Sequence, residues 1–110
     1  MTTAKKTMLS MEELHPEFKK LGPNELILDV RTPQEFAEGR VPGSQNIPFD
    51  QVMAHATELK KYSTVYLYCR AGSRSSAAYA TLLALGLHNL VCIDDGGFPE
   101  WEAQGFQVER

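Results

Sequence analysis

An α/β domain, with a mostly parallel sheet and helices on both faces, is the fold class that this chain predicts. Three observations lead there. Short runs of β-formers with little polar alternation occur at Leu26-Ile27-Leu28-Asp29-Val30, Thr64-Val65-Tyr66-Leu67-Tyr68 and Leu90-Val91-Cys92-Ile93. Segments with helical spacing or capping pattern lie between them, and glycine or proline marks most of the junctions. Continuous apolar runs suit strands covered on both faces, and strands alternating with helices pair in parallel through crossovers.

The elements follow in order. Met1 to Lys6 reads as a loose polar tail, leaving residues 7–110 as one domain of ordinary size. Ser10-Met11-Glu12-Glu13 has capping-box spacing and predicts a helix from Met11 to Lys20, ended by Gly22-Pro23-Asn24. The first buried strand, Leu26 to Val30, comes next. Thr32-Pro33-Gln34-Glu35 repeats the cap, with proline at the first helical position, and Gly39 closes that helix. Asn46-Ile47-Pro48 predicts a brief strand. Apolar residues at Phe49, Val52, Met53, Ala56 and Leu59 predict a helix over 49–59. After the Thr64–Tyr68 strand, a helix is expected from Ser75 to Leu85, stopped by Gly86. The Leu90–Ile93 strand then turns at Asp94-Asp95-Gly96-Gly97 into a last helix from Pro99 to Gln104.

Cys69 stands where the Thr64–Tyr68 strand meets the loop Arg70-Ala71-Gly72-Ser73-Arg74. A residue at the carboxyl end of a parallel strand emerges at the rim where α/β folds bind ligands. Loop amides and the first helical turn present partial positive charge there, and Arg70 and Arg74 add full charges. Such surroundings pull a cysteine from its free pKa of about 8.5 toward neutrality and favour the nucleophilic thiolate. Cys92, inside an apolar strand, reads as packing.

Composition narrows the function classes. With 43% hydrophobic and 23% charged residues, the chain has the balance of a soluble globular domain. A net charge of −3 and a pI near 5.6 argue against nucleic-acid binding. On this mildly acidic chain the two loop arginines form a local positive spot suited to a small anion. Two cysteines are too few for a disulfide framework, the N-terminus runs into no apolar segment long enough for a signal peptide, and the longest apolar stretch, Ala77 to Leu87, is too short to span a membrane. A reducing, cytoplasmic setting is therefore expected. His15, His55 and His88 lack metal-ligand spacing, so surface positions and no metal are expected. Asp29 and Arg31 read as a structural ion pair, and Phe98 and Trp101 as core.

Three blocks in order resemble the rhodanese family of sulfurtransferases over nearly the whole chain. They are Leu28-Asp29-Val30-Arg31 with Glu35-Phe36, Gly39 and Val41-Pro42-Gly43-Ser44-Gln45-Asn46-Ile47-Pro48; Cys69-Arg70-Ala71-Gly72-Ser73-Arg74-Ser75; and Gly96-Gly97 with Trp101 and Gly105. Arg40-Val41 departs from the histidine and isoleucine usual in the family. The resemblance implies a five-stranded parallel sheet and a Cys69 persulfide. It implies a small anionic sulfur donor such as thiosulfate, and cyanide or a thiol as acceptor, with no cofactor. A sulfur-relay module serving a protein persulfide donor or acceptor is the alternative. On this reading the amides of Arg70, Ala71, Gly72, Ser73, Arg74 and Ser75 converge on the sulfur, while Arg70 and Arg74 hold the donor's oxyanion. Cysteine-dependent phosphatases share the strand–loop–helix arrangement but have five residues between cysteine and arginine. Here four separate Cys69 from Arg74, a ring better suited to a sulfur atom than to a phosphoryl group.

Overall fold

The computed structural model describes residues 6–110, so most of the expected tail, residues 1–5, lies outside the described residues. Five strands form one sheet: β1 (Met8–Ser10), β2 (Glu25–Asp29), β3 (Gln45–Asn46), β4 (Thr64–Tyr68) and β5 (Leu90–Asp95), in the order β1-β5-β4-β2-β3. Every pairing between them is parallel, as expected. The helices are α1 (Met11–Lys19), α2 (Pro33–Glu38), α3 (Ala56–Leu59), α4 (Ser73–Ala84) and α5 (Phe98–Ala103). Among the described residues, no helix is long and apolar enough to cross a membrane.

Both faces of the sheet are covered, which explains the missing polar alternation in β2 and β4. On one face Leu26, Leu28, Val65, Leu67 and Cys69 meet Leu59 ahead of β4 and Ala78 and Leu82 of α4. On the other, Ile27, Tyr66, Tyr68, Val91 and Ile93 meet Met11 and Leu14 of α1 and Phe98 and Trp101 of α5. Successive residues of β4 thus serve opposite cores, and the period of two carries Cys69 to the α4 side.

Both predicted capping boxes form. Ser10 Oγ accepts from Glu13 N at 3.1 Å and Glu13 accepts from Ser10 N at 2.8 Å. Thr32 Oγ1 accepts from Glu35 N at 3.2 Å and Glu35 Oε1 accepts from Thr32 N at 3.1 Å.

Three expectations need correction. The helix expected over 49–59 is a 3-10 turn at Val52–His55 followed by the one-turn α3. Val52 and Leu59 point inward as the spacing requires, but Met53 is 62% exposed and Phe49 is exposed too. The Phe49 amide donates to Val30 O at 3.0 Å, which ties that residue to the end of β2. Second, β1 was not expected; it borrows its identity from pairing with β5 and runs directly into the cap at Ser10. Third, His15 is not a free surface residue: its ring stacks on Phe106 at 3.6 Å and meets Trp101 edge-on at 5.4 Å.

Candidate functional site: a thiol cup at the end of the central strand

Cys69 follows the last residue of the central strand β4, and only Arg70 to Gly72 separate it from α4. The helix begins two residues earlier than its sequence suggested, with Gly72 as N-cap in a left-handed conformation, φ 97°. A side chain at Gly72 would be strained by that angle and would overlap the carbonyl of Asp94. The chain therefore doubles back beneath its own helix and aims amide groups at the cysteine.

The sulfur is held by three groups. Gly72 N donates to Sγ at 3.1 Å and Ser75 N at 3.3 Å, while the Ser75 hydroxyl lies 3.4 Å away. That hydroxyl is itself anchored, donating toward Ile93 O at 2.7 Å. Cys69 sits at the sheet's open rim yet is fully buried, because the groups that hold the sulfur also enclose it. Burial pushes the thiol's pKa up. The Ser75 hydroxyl and the amides of Ser75, Ala71 and Gly72 outweigh it and bring the pKa below the ordinary cysteine value. The result is a buried sulfur that is easier to ionise than a free one, at the amino end of a 12-residue helix whose dipole favours negative charge.

Of the six loop residues marked in the sequence, Gly72 and Ser75 touch the sulfur and Ala71 contributes its amide. Ser73 opens α4 and is exposed. The arginines do not reach Sγ. Arg74 Nη1 donates to Glu35 Oε1 at 2.6 Å and Nη2 to Oε2 at 3.1 Å, a forked ion pair with α2. Arg74 holds the Glu35 carboxyl down to a pKa of about 2. Arg70 is exposed and lines a cleft of about 400 Å³ with Arg31, Glu38, Phe98 and Glu102. Glu35 carried a capping signal in the sequence; nothing there showed that it also crosses to Arg74.

The walls of the rim are braced from both sides. Arg31 donates to both Asp29 oxygens, at 2.7 Å from Nη2 to Oδ2, and to Gly39 O at 2.6 Å; the two form a buried ion pair. The Arg31 guanidinium lies over the Phe98 ring at 4.5 Å, so Phe98 is both core and cleft wall. Arg40, the departure noted above, stacks on Phe36 and pairs with Glu109 rather than facing the cysteine. On the α5 side, Phe98 N donates to Cys69 O at 3.0 Å. Gly97 lies so close that a Cβ there would overlap the carbonyls of Cys69 and Arg70. Its φ of −177° is ordinary extended backbone, so space and not conformation requires glycine.

Cys92 is the second free thiol. It is buried within β5, with Ser76 Oγ 3.9 Å from its sulfur, and no main-chain amide among the described residues is aimed at it. Burial pushes its pKa up, and nearby Asp94 and Cys69 add to that against the Ser76 and Ser75 hydroxyls. Among the described residues, no group of three histidine, cysteine or acidic side chains is placed to hold a metal.

A parallel α/β sheet with a cysteine cupped between its central strand and the following helix defines the class. The pattern of the Rhodanese-like domain matches residues 10–104, and the chain belongs to that family of sulfurtransferases. It is 34% identical over 93 residues to the uncharacterized protein YqhL of Bacillus subtilis, covering 84% of this chain and 70% of that one. It is 32% identical over 83 residues to a sulfurtransferase of Allochromatium vinosum, covering 76% of this chain and 77% of that one. The crystal structure of SSP1007 from Staphylococcus saprophyticus superposes with a TM-score of 0.78 at 30% identity, covering 96% of this chain and all of that one.

Proposed function

We propose that residues 7–110 act as a single sulfurtransferase unit in which Cys69 carries a sulfane sulfur from a thiosulfate-like donor to cyanide or a thiol. The observation that carries this reading is the cup: a thiol kept below its ordinary pKa, despite burial, by aligned donors from Ala71, Gly72 and Ser75. The Cys69 thiolate attacks the outer sulfur of thiosulfate. A bond forms from Sγ to that sulfur, the donor's S–S bond breaks, and its electron pair leaves with sulfite. The persulfide anion then sits where amide dipoles of the 70–75 loop oppose its charge. Cyanide or a thiolate attacks the outer sulfur and Cys69 leaves as thiolate. Arg70 is the exposed cation beside the cleft and Arg74 the one beside the loop; both are the groups to meet sulfonate oxygens. No metal or cofactor enters the cycle, and a reducing compartment suits a free thiol of this kind.

Intact-mass spectrometry after thiosulfate treatment tests the reading. Wild type gains one sulfur and Cys69→Ser gains none, and cyanide then strips the sulfur as thiocyanate. A wild type that stays unmodified at saturating thiosulfate overturns thiosulfate as donor. A relay of persulfide between protein partners is the second reading, favoured by the fact that Arg74 is already engaged by Glu35. It is supported if a persulfidated protein loads Cys69 where thiosulfate does not.

A further inference from the structure

Glu35 belongs to α2 but ends on the cysteine loop. Its two oxygens take both terminal nitrogens of Arg74, at 2.6 and 3.1 Å, the fork-on-fork arrangement that a guanidinium also offers a sulfonate. The carboxylate is not free to swing away, since Thr32 N and Thr32 Oγ1 both donate to Oε1 at 3.1 Å. The same group therefore closes the α2 cap and occupies the Arg74 guanidinium. It is ionised throughout the neutral range. Arg70, by contrast, pairs with no carboxylate among the described residues. Neither partner of the Glu35–Arg74 pair is deeply buried, at 27% and 25% exposure, so a solute anion can compete for the guanidinium from solution.

We infer that Glu35 determines donor specificity: as a built-in anion on Arg74, it disfavours donors that present oxyanion oxygens and leaves donors of the organic persulfide class unpenalised. This rests on the sulfurtransferase reading above and adds the donor class. An organic persulfide delivers sulfur without any sulfonate. Sγ attacks the outer sulfur, the S–S bond to the carrier breaks, and the carrier departs as a thiolate with the electron pair. Thiosulfate makes the same bond but must also seat three oxygens, and the Arg74 guanidinium already holds the two oxygens of Glu35.

The test measures the initial rate of Cys69 persulfidation against donor concentration by intact mass, with thiosulfate and with 2-hydroxyethyl persulfide. Glu35→Gln keeps the capping box, because glutamine serves at that helix position, and removes the charge. It is expected to lower the half-saturating thiosulfate concentration about fivefold, the scale of one partly exposed ion pair, with maximal rate within about twofold. The curve for hydroxyethyl persulfide stays in place. Glu35→Asp, which keeps charge and cap but is one methylene short of Arg74, shifts thiosulfate in the same direction by less. In an Arg74→Gln background, Glu35→Gln produces no gain, since the seat itself is gone. A thiosulfate curve that is unmoved or shifted to higher concentration overturns the inference. So does an equal shift for both donors, or a gain that persists without Arg74. If wild-type protein gains sulfur from neither donor, the sulfurtransferase reading falls and this one with it; if it loads normally and only the Glu35 shift is absent, this one falls alone.

Discussion

Cys69 and Cys92 are both buried and both lie beside the first turns of α4, yet their thiols move in opposite directions. Desolvation raises both. At Cys69, two main-chain amides and a hydroxyl converge on the sulfur; at Cys92 the partners are hydroxyls alone, Ser76 Oγ at 3.9 Å and Ser75. The lesson is that neither burial nor nearness to a helix decides the state of a thiol. Oriented donors do, and they exist at Cys69 because Gly72 turns the chain back on itself.

The sharpest way to break that comparison is to delete each sulfur in turn. Cys69→Ser is expected to abolish sulfur uptake, while Cys92→Ser retains at least about half of it; equal losses by intact mass would mean that the two sites act as one. Next in size, Gly72→Ala puts a side chain at a left-handed φ and into Asp94 O. It is expected to cost about 2–4 kcal/mol in urea unfolding and to slow uptake by about 100-fold, dissolving the difference between the two cysteines.

A finer probe is Ser75→Ala. Loss of the hydroxyl should raise the Cys69 pKa and so lower the thiolate fraction near neutral pH. The pH profile of iodoacetamide alkylation reports it: in wild type the Cys69 rate climbs at lower pH than the Cys92 rate, and the variant narrows the gap. The sign for stability follows from the same shift. A lowered thiol pKa adds stability above the unfolded cysteine pKa, and that contribution is lost as pH falls through the folded value.

The smallest effect concerns Glu35, whose pKa is lowered to about 2 from 4.5, chiefly by Arg74. The carboxylate's contribution to stability is complete above pH 4.5 and is lost as pH falls toward 2. Glu35→Gln should flatten that part of an acid-unfolding curve and lower stability above pH 6 by a constant amount, with no change of slope there.

Much of this is legible in the sequence. The strand cores at Leu26–Val30, Thr64–Tyr68 and Leu90–Ile93 announced themselves through burial on both faces, and both capping boxes were readable from spacing alone. The Cys69 loop could be marked because strand, cysteine and helix are contiguous in the chain. What sequence could not supply were contacts between distant segments. β1 is a strand only because Met8 and Leu9 align with Cys92 and Ile93. Glu35 and Arg74 are separated by 39 positions, and the cap at Thr32 fully accounts for a glutamate there without any second partner. The arginines were expected to charge the sulfur's surroundings; their actual engagement depended on what folded beside them.

The close approach of Gly97 to the carbonyls of Cys69 and Arg70, with Phe98 N bonded to Cys69 O, has a consequence in time. During synthesis the cysteine is made long before the turn that seats it. A growing polypeptide that has passed residue 75 holds the Gly72 and Ser75 donors but not the Gly97–Phe98 segment that packs against the Cys69 carbonyl.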